Sequence, residues 1–239
     1  MSPRPRPRPL VPPRSARRER VARAALIAFA LAAAADLGSL LLGWSPGHPL
    51  FKPLLMPLLA AHAAALGAPR LLLAALAFGW GGDVALLFDA DPAFLLGMGS
   101  FALGHVCWLL LFRGRRTDRR LALGYAPALV GTLVLLWPDL PPELRVPVAG
   151  YSLLLTAMAW RSAALGRAAG IGGALFLLSD TLIATGVAQW PQAPRPDFWI
   201  MATYLAAQLL LTRGVLAGEQ AYGGEAVTAA RATTARPAV

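Results

Sequence analysis

Phe78-Gly79-Trp80-Gly81-Gly82-Asp83-Val84-Ala85-Leu86-Leu87-Phe88 places an aspartate inside an apolar run too long for a soluble core helix. A charge at the centre of a hydrocarbon layer costs at least ~2.5–3.5 kcal/mol on insertion scales, so such groups line bundle interiors or wet cavities. Gly173-Ala174-Leu175-Phe176-Leu177-Leu178-Ser179-Asp180-Thr181 repeats the pattern later in the chain. The function turns on whether these two carboxylates meet.

The composition around them supports a membrane setting. Of 239 residues, 57% are hydrophobic and 14% charged, against about 25% charged in soluble domains. Mean hydropathy is +0.57. Apolar runs fall at about 22–43, 50–67, 71–88, 93–112, 121–137, 144–162, 168–188 and 198–217. At ~1.5 Å per residue each is long enough for a hydrocarbon core of ~30 Å. The expected fold is therefore all-α, a bundle of eight transmembrane helices over residues 22–217. Ala33-Ala34-Ala35 resembles a signal-peptide cleavage site, but the first run continues through Leu40-Leu41-Leu42 to spanning length.

The net charge of +10 is a topology signal, because the basic residues sit at the ends of apolar runs. With the N-terminus inside, 19 of the 22 basic residues are cytoplasmic, and only Lys52, Arg145 and Arg195 lie opposite. Both termini are expected inside, in a bacterial plasma (inner) membrane. Residues 1–21 form an Arg/Pro-rich tail without aromatic residues interleaved, which points to lipid headgroups and not to nucleic acid. Residues 218–239 are expected as a second disordered tail. Cys107, the single cysteine, excludes an intrachain disulfide and a thiolate metal cluster.

Counting along the helices puts Asp83 and Asp180 each ~18 Å, and Asp36 ~21 Å, from the cytoplasmic start of its run. Three carboxylates at one level could share a cavity. Gly79, Gly81 and Gly82 permit either close helix contact or local unwinding beside Asp83. Trp80 stands where the GxGD motif of intramembrane aspartyl proteases has its first glycine, so that motif is absent. His105 lies beside Gly104 in the fourth run, slightly inward of the aspartates. His62 reads as structural, and His48 as a loop residue. No pair of ligands has the i, i+4 spacing of a helical metal site, and neither metal nor other cofactor is expected.

Lys52, the only lysine, opens the second run in Phe51-Lys52-Pro53-Leu54. It can meet a phosphate at the outer interface, and Pro57 leaves the Pro53 carbonyl without its helical donor. Gln208 and Tyr204, one turn apart in the last run, add polar groups on one face.

Phe51-Lys52-Pro53-Leu54, Gly82-Asp83, Gly104-His105, Leu175-Phe176 to Ser179-Asp180, and Tyr204 to Gln208 occur in the order found in the YhhN-like lysoplasmalogenase family. The chain resembles that family over about residues 22–217. The resemblance implies an integral membrane hydrolase that cleaves the vinyl ether of a lysophospholipid to a fatty aldehyde and a glycerophospho-base. Protonating a vinyl ether carbon requires an acid in a dry site, an anion near the oxocarbenium ion, and a positioned water. Two neighbouring carboxyls can divide those roles, one protonated and one ionised. On this reading Asp83 and Asp180 are the pair and His105 or Asp36 orients water or a carboxyl. Lys52 holds the phosphate, and Tyr204 and Gln208 join Asp36 and Lys52 in binding substrate. A proton-coupled lipid or small-molecule transporter would use the same two aspartates, each in the third helix of a four-helix half. A structural membrane protein with satisfied buried polar groups is the third reading. The oligomeric state is not legible.

Overall fold

The computed structural model describes residues 15–234, with side chains to residue 219. Arg4, Arg6, Arg8, Arg14 and Arg236, assigned to the tails, lie outside the described residues. Among the described residues there are eight α-helices and no strand: α1 (Ala16–Leu42), α2 (Gly47–Ala65), α3 (Arg70–Ala85), α4 (Asp91–Leu111), α5 (Ala122–Leu136), α6 (Pro142–Ser162), α7 (Arg167–Val187) and α8 (Pro196–Thr234). A 3₁₀ turn, Arg119–Leu121, leads into α5, and another, Ala163–Leu165, follows α6.

Two helix ends differ from the expected tails. Ser15 accepts from Arg18 N at 3.4 Å and Glu19 lies in the first turn, so α1 starts at Ala16 within the arginine segment. α8 continues through Glu219 to Thr234, past the expected end at residue 217. Composition marked these segments as polar, but local capping and helix propensity extend the helices into them.

Among the described residues, five segments are long and apolar enough to cross a membrane: Ala16–Leu42, Asp91–Leu111, Arg119–Leu136, Arg167–Val187 and Pro196–Glu219. α3 has 16 residues, ~24 Å of helix, which is short for a ~30 Å core. α2 carries Lys52, His48, His62 and prolines, and α6 carries Glu143, Arg145 and Arg161. These three helices owe their place to packing against the others. Polarity is inverted relative to a soluble protein. Leu31 is 67% and Leu123 77% exposed, whereas Asp36 is 0% and Gln208 1% exposed. An apolar surface over buried polar groups suits a lipid solvent, and the chain is a multi-pass membrane protein.

Packing runs α1 on α2, α2 on α3, α3 on α4, α4 on α6, α6 on α7 and α7 on α8, and α8 returns against α1, α2 and α3. α5 stands outside this ring, against α6 and α7, with Leu136 its one buried residue. Glycines bring the ring helices close. A Cβ on Gly82 would fall 2.5 Å from the Phe101 ring, and one on Gly81 2.8 Å from Ser100 Oγ. α3 is continuous through Gly79–Asp83, so of the two options open to those glycines the structure uses close contact. α7 is fitted to α6 in the same way: a Cβ on Gly173 would lie 2.3 Å from Ser162 Oγ and 2.8 Å from Ala159 O. Gly173→Ala is expected to destabilise the protein by ~1–3 kcal/mol in thermal unfolding of the detergent-solubilised chain. Gly99→Ala, where nothing lies within 4 Å, should leave the transition unchanged.

Candidate functional site

α3 and α8 hold the first polar cluster. Asp83 is 2% exposed on α3, and Tyr204 Oη donates to its Oδ2 at 2.9 Å from α8. Gln208 Nε2, one helical turn on, donates to Tyr204 Oη at 3.1 Å. The approach depends on Gly79, whose Cβ would come within 3.1 Å of both the Gln208 amide and the Tyr204 hydroxyl. Lys52 is buried on α2 and makes no hydrogen bond or ion pair among the described residues, yet its charge acts on Asp83. The Pro53 carbonyl released by Pro57 is not vacant: Trp80 Nε1 donates to it at 2.9 Å and ties α3 to α2.

Asp36 joins this cluster from α1. His48, expected in a loop, lies in the first turn of α2, and its Nδ1 is 2.8 Å from Asp36 Oδ1. The connection turns tightly enough for this because Gly43 takes φ +71° and Gly47 packs where any Cβ would strike Ser39 and Trp44. Asp36 Oδ2 is buried with no partner among the described residues. Both Asp36 and His48 lie within electrostatic range of Asp83.

The second cluster joins α4, α6 and α7. Tyr151 Oη donates to Asp180 Oδ2, and His105 Nε2 lies 3.0 Å from the same phenol oxygen. Two proton arrangements satisfy this line. With Asp180 ionised, Tyr151 donates to it and His105 Nε2–H donates to Tyr151. With Asp180 protonated, the carboxyl donates to Tyr151 and the phenol donates to Nε2. His105 Nδ1 is buried and unpaired in both. His62 is separate, its Nδ1 2.8 Å from Ala22 O, a link between α2 and α1 that fits the structural reading.

α3 and α7 do not pack face to face; α4 and α8 lie between them. No hydrogen bond joins Asp83 to Asp180 among the described residues; aromatic rings from α4, α7 and α8 connect the two clusters. Phe176 and Tyr204 have ring centroids 5.4 Å apart, Phe101 and Tyr204 5.8 Å, and His105 and Phe176 4.8 Å, all edge to face.

Because α5 stands off the ring, a cavity of about 310 Å³ opens between it and α4, α6 and α7. Its walls are mostly apolar, including Phe94, Leu129, Leu136, Leu155 and Leu178, and Asp180 and Tyr151 border it. Thr156 also lines it, with its buried Oγ1 unpaired among the described residues. Asp83 is not part of this wall. Tyr151 and His48 are the site residues that sequence reasoning missed. A lone tyrosine in an apolar run and a histidine beside a proline carry no spacing signal, and their partners lie 29 and 12 residues away. Among the described residues no three His, Cys, Asp or Glu side chains converge as a metal site.

An apolar cavity of this size with a carboxyl at its wall has the features of a ligand-binding pocket. The model of the YhhN family matches residues 47–215, and the chain belongs to that family. The human protein lysoplasmalogenase TMEM86B (Homo sapiens) is 40% identical over 152 residues, 63% of this chain and 65% of that one. The rat protein of the same name (Rattus norvegicus) is 36% identical over 135 residues, 56% of this chain and 57% of its own. A lysoplasmalogenase of Mycobacterium bovis is 34% identical over 201 residues, 77% of this chain and 76% of its own. The matches thus span somewhat under two thirds of the human and rat proteins. No solved structure matches.

Proposed function

We propose that the protein is a lysoplasmalogenase, a membrane hydrolase that converts an alkenyl lysophospholipid and water into a fatty aldehyde and a glycerophospho-base. The observation that carries this reading is Asp180, held by Tyr151 at the wall of an apolar cavity bounded by α5. Family membership and the names of the relatives support the substrate class.

The alkenyl chain lies in the cavity, with its vinyl ether against Asp180. Protonated Asp180 delivers its proton to the ether's β-carbon, leaving an oxocarbenium ion conjugated to the ether oxygen. Water adds to the carbon bearing that oxygen and gives its proton back to the Asp180 carboxylate, and the hemiacetal collapses to aldehyde and a free glycerol hydroxyl. Tyr151 suits this cycle, since its phenol donates to the carboxylate when Asp180 is ionised and accepts from the carboxyl when Asp180 is protonated. Asp83, behind Phe176 and Tyr204, stabilises the cation at a distance without touching the reacting carbon. Two aspartates in distinct surroundings thus take distinct roles, and Tyr204 and Gln208 orient Asp83.

Lys52 and His48 receive the phosphate at the other end of the substrate, with Asp36 fixing His48. A buried cation without a hydrogen bond or ion pair among the described residues calls for an anion, and the phosphate supplies one. Lys52→Ala is expected to raise KM for the lysophospholipid about tenfold with little change in kcat, as a lost charged hydrogen bond predicts. Initial rates over substrate concentration measure the split. Arginine placement supports eight spans with both termini in the cytoplasm, so that Lys52 and the headgroup lie towards the outer face of a bacterial inner membrane. Aldehyde release from a 1-alkenyl lysophospholipid by the purified protein tests the reaction. Movement of the same lipid between leaflets without covalent change would establish the transporter in its place.

A further inference from the structure

Where the end of α4, the 3₁₀ turn before α5 and the end of α6 meet, Arg115, Arg116, Thr117, Arg119, Trp160 and Arg161 line a recess of about 520 Å³. It lies apart from the aspartates and has no part in the reaction above. Four of its six lining residues are arginines and none is acidic.

The recess is built by contacts that fix its walls and leave charge over. Trp160 Nε1 donates to Asp118 O at 3.1 Å, holding the indole against the loop. Arg161 Nη2 donates to Phe112 O at 2.9 Å and to Arg115 O at 2.8 Å, and its guanidinium carbon lies 6.0 Å from the Trp160 ring centroid. Arg161 thereby ties the loop to α6. The nearby carboxylates are engaged: Asp118 Oδ1 accepts from Arg120 N at 2.9 Å, and Glu219 lies 4.0 Å from Arg115 Nη2. Arg116 and Arg119 are exposed, and their guanidinium groups make no hydrogen bond or ion pair among the described residues. Thr117 Oγ1 is buried at the recess without a partner.

We propose that this recess is a binding site for a phosphate-bearing anionic headgroup, with Arg116 and Arg119 meeting the charge and Thr117 Oγ1 donating to a phosphate oxygen. Planar guanidinium forks suit phosphate oxygens, and a buried hydroxyl without a partner in a basic recess is completed by an acceptor. Trp160 places an aromatic face where headgroup and hydrocarbon meet, and the arginine-rich ends of the helices face the leaflet that carries acidic lipid. The same chemistry could come from a membrane phospholipid or from a soluble phosphate.

Native mass spectrometry of the full detergent-solubilised chain, titrated with phosphatidylglycerol, phosphatidylcholine or inorganic phosphate, tests the site. Phosphatidylglycerol adducts are expected to weaken on the order of 30-fold in Arg116→Ala/Arg119→Ala. Thr117→Val, which keeps every charge, should weaken them severalfold, and Arg23→Ala/Arg70→Ala, an equal charge loss at exposed positions on α1 and α3, should not. Inorganic phosphate that displaces the lipid would identify a site for phosphate itself; lipid binding that persists would identify the lipid as occupant. Equal weakening by the Arg23/Arg70 and recess double variants, with Thr117→Val unchanged, would reduce the effect to general electrostatics and overturn the proposal. Since the readout is binding and not aldehyde release, its failure leaves the enzymatic reading standing.

Discussion

Asp180→Asn is expected to lower aldehyde release by about 10²–10⁴-fold, the usual contribution of a positioned general acid. The amide keeps the size of the carboxyl and can still hydrogen-bond Tyr151, so folding and lipid binding should persist. What it loses is a proton that can be given to carbon. The loss should therefore fall on kcat and on kcat/KM together, with KM near its normal value. Aldehyde release over substrate concentration, beside thermal unfolding of both proteins, measures it. Full turnover in a folded Asp180→Asn protein would remove the acid from the proposal.

Asp83→Asn is the second large effect, expected at roughly 10²–10³-fold, the scale set by loss of a preorganised electrostatic group. Asp83 does not border the cavity, and its hydrogen bond goes to Tyr204. Its contribution must come from charge, and the Asn variant removes charge while keeping the acceptor for the Tyr204 phenol. The comparison that isolates this is Tyr204→Phe, which keeps the charge and removes the hydrogen bond. Tyr204→Phe is expected to lose less than Asp83→Asn in the same assay. A Tyr204→Phe loss equal to that of Asp83→Asn would make the hydrogen bond, and not the charge, the source of the effect.

Much of the site was legible because polar groups in apolar runs are costly and so conspicuous. Asp36, Asp83, Asp180, His105 and Gln208 each stand in a run that is otherwise mainly apolar. Their partners were less visible. Tyr151 lies in Ala149-Gly150-Tyr151-Ser152, where an amphipathic phenol reads equally well as packing or as an interfacial anchor. His48 was hidden by its neighbours, since Ser45-Pro46-Gly47 marks a turn without telling which side of the turn a following histidine joins. The Pro53 carbonyl lacks its helical donor because Pro57 has no N–H, but only the tertiary structure brings Trp80 to it.

The larger departure concerns α5. Consecutive helices usually pack on one another, and α1 to α4 do so. α4 instead packs on α6, leaving α5 outside. Apolar periodicity cannot foresee this in a membrane protein, because a lipid-facing surface and a helix-facing surface are equally apolar. The distinction lies in small residues, and α5 shows it: nothing lies within 4 Å of a Cβ on Gly124 or Gly131, whereas Gly81, Gly82, Gly172 and Gly173 are tightly opposed. The displaced helix is also what makes the cavity. The same local weakness that obscured the fold provides the room for a lipid chain beside Asp180.

Hydrolysis of a 1-alkenyl lysophospholipid in deuterium oxide, with the aldehyde trapped as it forms, tests the central claim most directly. Protonation of the vinyl ether carbon by a carboxyl that exchanges with solvent predicts one deuterium on the carbon next to the aldehyde carbonyl. An aldehyde released without deuterium at that carbon would contradict the account.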